Sequence, residues 1–110
     1  MSYSVKILPK FEKSLKKLVK KYPSIKSEYI DLINQLKEQP TQGTALGNDC
    51  YKIRLSIASK GKGKSGGARV ITHFYVSENV VFLLSIYDKS DKATISDKEL
   101  QTLLAQINRQ

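Results

Sequence analysis

Phe11, Leu15, Leu18, Val19 and Tyr22 fall at the offsets that gather side chains on one face of an α-helix. The spacing predicts a helix over Lys10–Lys21, with Lys13, Lys16, Lys17, Lys20 and Lys21 mostly toward water. Pro23 interrupts the pattern and can open a second helix, because proline fits the first turn. Ile25, Tyr29, Leu32, Ile33 and Leu36 form the apolar stripe of that helix, and Pro40 stops it. The two helices are expected to pair as a hairpin. Before them, Ser4–Leu8 reads as a short strand that ends at Pro9.

The period changes in the second half. Residues 41–49 are polar and contain glycine, the signature of a loop. Tyr51, Ile53, Leu55 and Ile57 then alternate with Lys52, Arg54 and Ser56, as in a half-buried strand. Ala68–Val76 and Val80–Tyr87 read as two more strands, joined by a tight turn at Ser77, Glu78 and Asn79. Val80–Ile86 is almost wholly apolar, so it should be a central strand covered on both faces. Ser96 and Glu99 have capping-box spacing and open a last helix, with Leu100, Leu103, Leu104 and Ile107 on one side. The expected fold is α+β. It has a small, antiparallel-rich sheet of about four strands, an N-terminal helical hairpin and a C-terminal helix. The 110 residues fit a single domain, 1–110, with one modest core.

Charge narrows the possible partners. Nineteen Lys and Arg against ten Asp and Glu leave a net +9, which favours polyanions and speeds encounter with them. No acidic residue lies between Asp49 and Glu78, where Lys52, Arg54, Lys60, Lys62, Lys64 and Arg69 all fall. A surface built only for solubility mixes both signs. The single cysteine, Cys50, excludes an internal disulfide framework. No apolar run approaches the length of a bilayer span and no leader segment is evident, so the expectation is a cytoplasmic protein with no membrane partner.

Several chemistries lack their residues. His73, the one histidine, is mid-strand with no second histidine or cysteine nearby in sequence, so no metal site is expected and His73 reads as structural. Asp88 and Asp91 stand among Lys89 and Lys92 and read as a solvated loop. Gly63-Lys64-Ser65 suggests a nucleotide-binding loop, but the position needing the first glycine is Ala58. What remains is Ser59–Gly67, with lysines interleaved among glycines, and the strand ends beside it. Glycine lets backbone approach a phosphate, and lysine supplies mobile charge. Arg69 lies just inside the following strand, where its planar fork can hold a phosphate in a fixed pose. Strand pairing could bring Tyr87 and Lys89 near Arg69 and near Lys52 or Arg54.

Cys50-Tyr51-Lys52-Ile53-Arg54-Leu55, Gly66-Gly67-Ala68-Arg69-Val70-Ile71 and the run Val80 to Lys89 together resemble the RelE toxin superfamily. The glycine–lysine loop and the Tyr87–Ser96 segment look most like its HigB-type branch. The resemblance implies a toxin of a type II toxin–antitoxin system: a ribosome-dependent messenger-RNA endonuclease without metal or other cofactor. Its partners would be mRNA, the ribosome and a cognate antitoxin carrying a DNA-binding segment and acidic where it docks. The implied reaction is attack of a ribose 2′-hydroxyl on the adjacent phosphate, releasing a 5′-hydroxyl. By position, Arg69 looks like the arginine that holds the phosphate, and Lys52 and Arg54 match the basic strand positions. Lys89 falls where other members carry an arginine. Lys60, Lys62, Lys64 and Lys92 are the expected RNA contacts. Some members place a catalytic tyrosine where this chain has Ile95; Tyr87, elsewhere, either takes that role or is structural. Two alternatives stay open: a ParE-like inhibitor of DNA gyrase on the same scaffold, and a non-catalytic basic nucleic-acid-binding domain.

Overall fold

The computed structural model describes residues 3–57, 67–92 and 94–107. Strand β1 (Ser4–Ile7) runs into helix α1 (Pro9–Lys21) through Leu8. The Leu8 amide still donates to the Leu83 carbonyl at 3.1 Å, while the Leu8 carbonyl already accepts from the Glu12 amide. Strand and helix thus meet at one residue, with Pro9 at a helix position that needs no donor. Helix α2 (Ile25–Glu38) follows a two-residue break after Tyr22 and ends ahead of Pro40. Both helices fall within a residue or two of the sequence expectation. The hairpin buries Phe11, Ile25, Leu32 and Leu36.

The rest of the chain supplies β2 (Thr44–Gly47), β3 (Cys50–Leu55), β4 (Ala68–Tyr75), a 3₁₀ turn (Val76–Glu78), β5 (Val80–Asp88) and α3 (Asp97–Ile107). The five strands form one sheet in the order β1-β5-β4-β3-β2. β1 lies parallel to β5, and the remaining neighbours are antiparallel. This corrects the expectation of about four strands and a loop over residues 41–49. Thr44 to Gly47 form a short edge strand whose residues are mostly exposed. They carry no hydrophobic alternation and are held by pairing with β3, with Leu46 packed against the α3-side core. The β2–β3 turn uses Asn48 and Asp49, both with positive φ (54° and 59°). That is the left-handed pair a tight hairpin needs, and Asn and Asp tolerate it.

All nine residues of β5 are buried, as its apolar composition predicts. On one side, α1 and α2 cover Val81, Leu83 and Ile86 with Ile53, Leu55 and Val70. On the other, α3 covers Phe82, Leu84 and Tyr87 with Cys50 and Ile71. Even- and odd-numbered residues of β5 exchange faces partway along, and the register shows why. Ile71 pairs with Ser85 but Thr72 pairs with Leu83, so Leu84 is the extra residue of a β-bulge. Without that insertion Tyr87 would point into the hairpin-side core. The bulge sends it to the α3 side.

Candidate RNA-cleaving site

Paired residues on neighbouring antiparallel strands share a face. Arg54 pairs with Arg69, and Arg69 pairs with Tyr87. These three form one rung across β3, β4 and β5 on the α3 side. Lys52 lies two residues earlier on the same face of β3, on the rung with Ile71. Lys89 follows the end of β5, and its amide donates to the Gly67 carbonyl at 3.1 Å. Its backbone therefore sits one step outside the rung. Of the nine residues that the sequence nominated, the structure places Lys52, Arg54, Arg69 and Tyr87 at neighbouring strand positions on one face, with Lys89 directly after β5. Lys60, Lys62 and Lys64 lie outside the described residues.

The five differ sharply in exposure. Arg54 and Lys89 are exposed and Lys52 is half-buried, but Arg69 is 3 % and Tyr87 8 % exposed. The Arg69 Nη1 donates to the Ala68 carbonyl at 3.2 Å. Arg69 is thus a buried cation within the sheet, with the more exposed Arg54, Lys52 and Lys89 at neighbouring backbone positions. A fixed charge in such surroundings acts more strongly on nearby anions than one in water. Burial pushes the Tyr87 phenol above its ordinary range; the Arg69 charge opposes this and Glu99 adds to it. Tyr87 therefore stays protonated at neutral pH. Its hydroxyl is buried and has no hydrogen-bond partner among the described residues.

The segment after β5 is tightly built. Asp88 is 1 % exposed, which corrects its reading as part of a solvated loop. Its Oδ1 accepts from the Ser90 amide and hydroxyl, each at 2.9 Å, and its carbonyl accepts from the Asp91 and Lys92 amides. The resulting turn carries Lys92 back over the sheet, with Nζ 4.9 Å from the Tyr87 ring centroid. The same ammonium meets Glu99 Oε2 at 2.6 Å. Glu99 also completes the expected capping box: its amide donates to Ser96 Oγ at 3.1 Å and its Oε1 accepts from the Ser96 amide at 3.4 Å. Lys92, expected as an RNA contact, is committed to Glu99 and Tyr87 instead of projecting freely. Nothing in the sequence beyond the capping box pointed to Glu99 as its partner.

Hydrogen bonding from Lys92, then from the Ser96 backbone, holds the Glu99 carboxyl below its ordinary pKa. A carboxylate favoured in the folded state stabilises it above the usual carboxylate range and loses that effect as pH falls through the lowered value. Glu99→Gln should therefore melt below the parent protein at neutral pH, with the gap closing in acid beneath that value. Thermal melts of both proteins across pH measure this, and a gap constant with pH would show that the carboxylate charge plays no part.

Cys50 Sγ lies 3.5 Å from His73 Nδ1, an arrangement that invites comparison with a nucleophilic pair. Burial, then the Asp49 charge, pushes the thiol up to about 11, so thiolate is scarce at neutral pH. His73 pairs with Cys50 toward the end of β4. The described residues contain no group of three or more His, Cys, Asp or Glu side chains that could hold a metal. A cavity of about 420 Å³ between α2 and the β3 edge is bordered by Glu28 and Asp31 as well as Lys52 and Arg54. Its carboxylates repel phosphate. Among the described residues, no helix is long and apolar enough to cross a membrane.

Residues 8–108 match the family described as the RelE toxin of the RelE / RelB toxin–antitoxin system. The fold is similar to that of a free E. coli RelE toxin variant, with TM-score 0.62 and 19 % identity over 97 % of this chain and 99 % of the other. It is also similar to the RelBE2 toxin–antitoxin complex from Mycobacterium tuberculosis, with TM-score 0.58 and 15 % identity over 80 % of this chain and 99 % of that one. A third match is the intact E. coli RelBE toxin–antitoxin complex, with TM-score 0.52 and 20 % identity over 79 % and 96 % of the two chains. With the family match spanning nearly the whole sequence, and its basic strand positions meeting on one face of a RelE-like sheet, the chain belongs to the RelE toxin family.

Proposed function

We propose that this chain is a ribosome-dependent endonuclease that cuts translated mRNA in the cytoplasm and thereby stops protein synthesis. The observation that carries the reading is the rung Arg54–Arg69–Tyr87, with Lys52 and Lys89 beside it. Cleavage by the RNA's own 2′-hydroxyl needs positive charge on the phosphorane oxygens, a group to take the 2′ proton and a donor for the leaving 5′ oxygen. Arg54 and Lys89, both exposed, meet the phosphate from outside, and Arg69 supplies a fixed, buried charge. Tyr87, protonated and with its hydroxyl unpaired among the described residues, suits the leaving oxygen. Lys52, in its neutral form, is the candidate for the proton acceptor. The nucleophile belongs to the substrate, so the chain's own cations suffice and no metal enters the reading.

In this reading the ribosome does much of the positioning, converting a loose encounter into a held geometry. A cognate antitoxin is the expected partner, since two of the similar structures are toxin–antitoxin complexes. Covering a basic face with an acidic chain is the direct way to silence it. Expression alone should arrest growth, and an adjacent partner gene should relieve the arrest. Messages under translation should gain new 5′-hydroxyl ends while free RNA stays largely intact.

A specific observation favours a second reading. Arg69 and Tyr87 are nearly buried, which suits a scaffold that binds without cutting, as a ParE-like inhibitor of DNA gyrase would. Intact transcripts together with falling gyrase activity would establish that reading in place of the first.

A further inference from the structure

A second cavity of about 330 Å³ opens on the same face as the rung, lined by Asn48, His73, Tyr75, Gln101, Leu104 and Ile107. That volume is near the lower end for small-molecule pockets. Its chemistry differs from the rest of the face. Among the described residues no lysine or arginine lines it, in a protein with a net charge of +9, so these walls offer a phosphate no cation. Two aromatic rings form one wall, His73 and Tyr75, with centroids 6.1 Å apart at 79°. Leu104 and Ile107 from α3 add apolar surface, and Asn48 and Gln101 bring side-chain amides to the rim. Rings to stack against, and amides to pair with polar edges, are what an unstacked nucleobase requires.

The fold holds these parts in place. His73 is fixed by Cys50 Sγ at 3.5 Å, and the thiol also donates to the Asn48 carbonyl at 3.5 Å. Asn48 sits in the left-handed hairpin turn, so the turn and the imidazole are tied to each other. Burial lowers the His73 pKa, and a neutral imidazole offers one donor and one acceptor. The position along the sheet matters equally. The pocket's His73 pairs with Cys50, and the successive pairs on that face are Lys52–Ile71 and Arg54–Arg69. From Arg69 to His73 is four residues along β4, about 13 Å at a strand's rise. A short stretch of extended RNA spans that distance.

We propose that this cavity is a nucleobase subsite, which receives one base of an RNA strand whose scissile phosphate lies at Arg54 and Arg69. The inference rests on the RNA-cleaving reading and adds to it a source of sequence preference. Lys52 sits between the two sites, where it meets the intervening backbone.

The test uses uncleavable 2′-O-methyl RNA hexanucleotides in which a single abasic position is moved along the strand, with binding read by fluorescence anisotropy at low salt. One abasic position is expected to weaken binding to the parent protein on the order of tenfold, as for loss of one stacked base. That position-specific loss should vanish in Gln101→Ala and in Tyr75→Leu. Gln101 is exposed, so its replacement leaves the core untouched. Equal effects at every abasic position, or a position-specific loss that survives in both variants, would overturn the subsite. The subsite and the cleavage reading fail separately. Cut messages with no position-specific binding would leave the nuclease without this pocket. Position-specific binding with intact messages would leave an RNA-binding pocket on a protein that does not cut.

Discussion

Arg69→Met is expected to abolish growth arrest and to slow cleavage of translated messages by at least about 100-fold, the scale on which losing one preorganised stabilising donor acts. Arg69 is the central member of the rung and the one whose charge is fixed by burial, at 3 % exposure. Methionine keeps much of the length and removes only the guanidinium. Alanine is the harsher test, because at a buried site it also opens a cavity and lowers stability. Arg69→Lys keeps the charge but not the planar fork, so it should recover a small part of the activity. Cleavage rates in a translating extract, alongside thermal melts of each variant, separate the loss of chemistry from the loss of fold. Full activity in a folded Arg69→Met protein would remove the proposed phosphate site.

Gly67→Ala is expected to destabilise the protein by about 1–3 kcal/mol, in the range for forcing atoms into packed surroundings. A Cβ at Gly67 would overlap the Leu55 carbonyl oxygen and stand 3.1 Å from both the Leu55 carbonyl carbon and Ser56 Cα. These are backbone atoms, so no side chain can turn aside. β3 and β4 must part at Leu55–Ala68, the pair next to Arg54–Arg69. The Gly67 carbonyl also receives the Lys89 amide, so the same movement shifts Lys89. A lower melting temperature should accompany a loss of cleavage larger than lost stability explains, because the rung itself is displaced. A protein that melts and cuts like the parent would show that the strand ends separate freely, and the close approach would then be incidental.

How far the sequence could be read depended on whether each feature is set by near neighbours in the chain. Phe11, Leu15 and Leu18 specify their helix by local spacing, and the proline positions bound it. The Ser96–Glu99 capping box is a four-residue motif, and it forms as read. Val80–Ile86 reveals a doubly covered strand because every residue is apolar. The basic positions could be nominated for the same reason: the motifs at Lys52, Arg54 and Arg69 are short and contiguous. Thr44–Gly47 has no comparable local mark, since this edge strand depends on pairing with β3 and on Leu46 packing against residues distant in the chain.

Sequence alone determined the α+β class, the helical hairpin, the central apolar strand, the acid-free basic segment and the family. Only the folded chain decided which side chains meet. The Leu84 bulge turns Tyr87 toward Arg69, and no local pattern announces a one-residue slip between β4 and β5. The turn at Asp88 buries a carboxylate that looked solvated and lays Lys92 over Tyr87. Strand pairing places His73 against Cys50, which lies 23 positions away in the chain. Hydrophobic periodicity is written along the backbone, whereas register, burial and the partners of a charge arise from distant segments packing together.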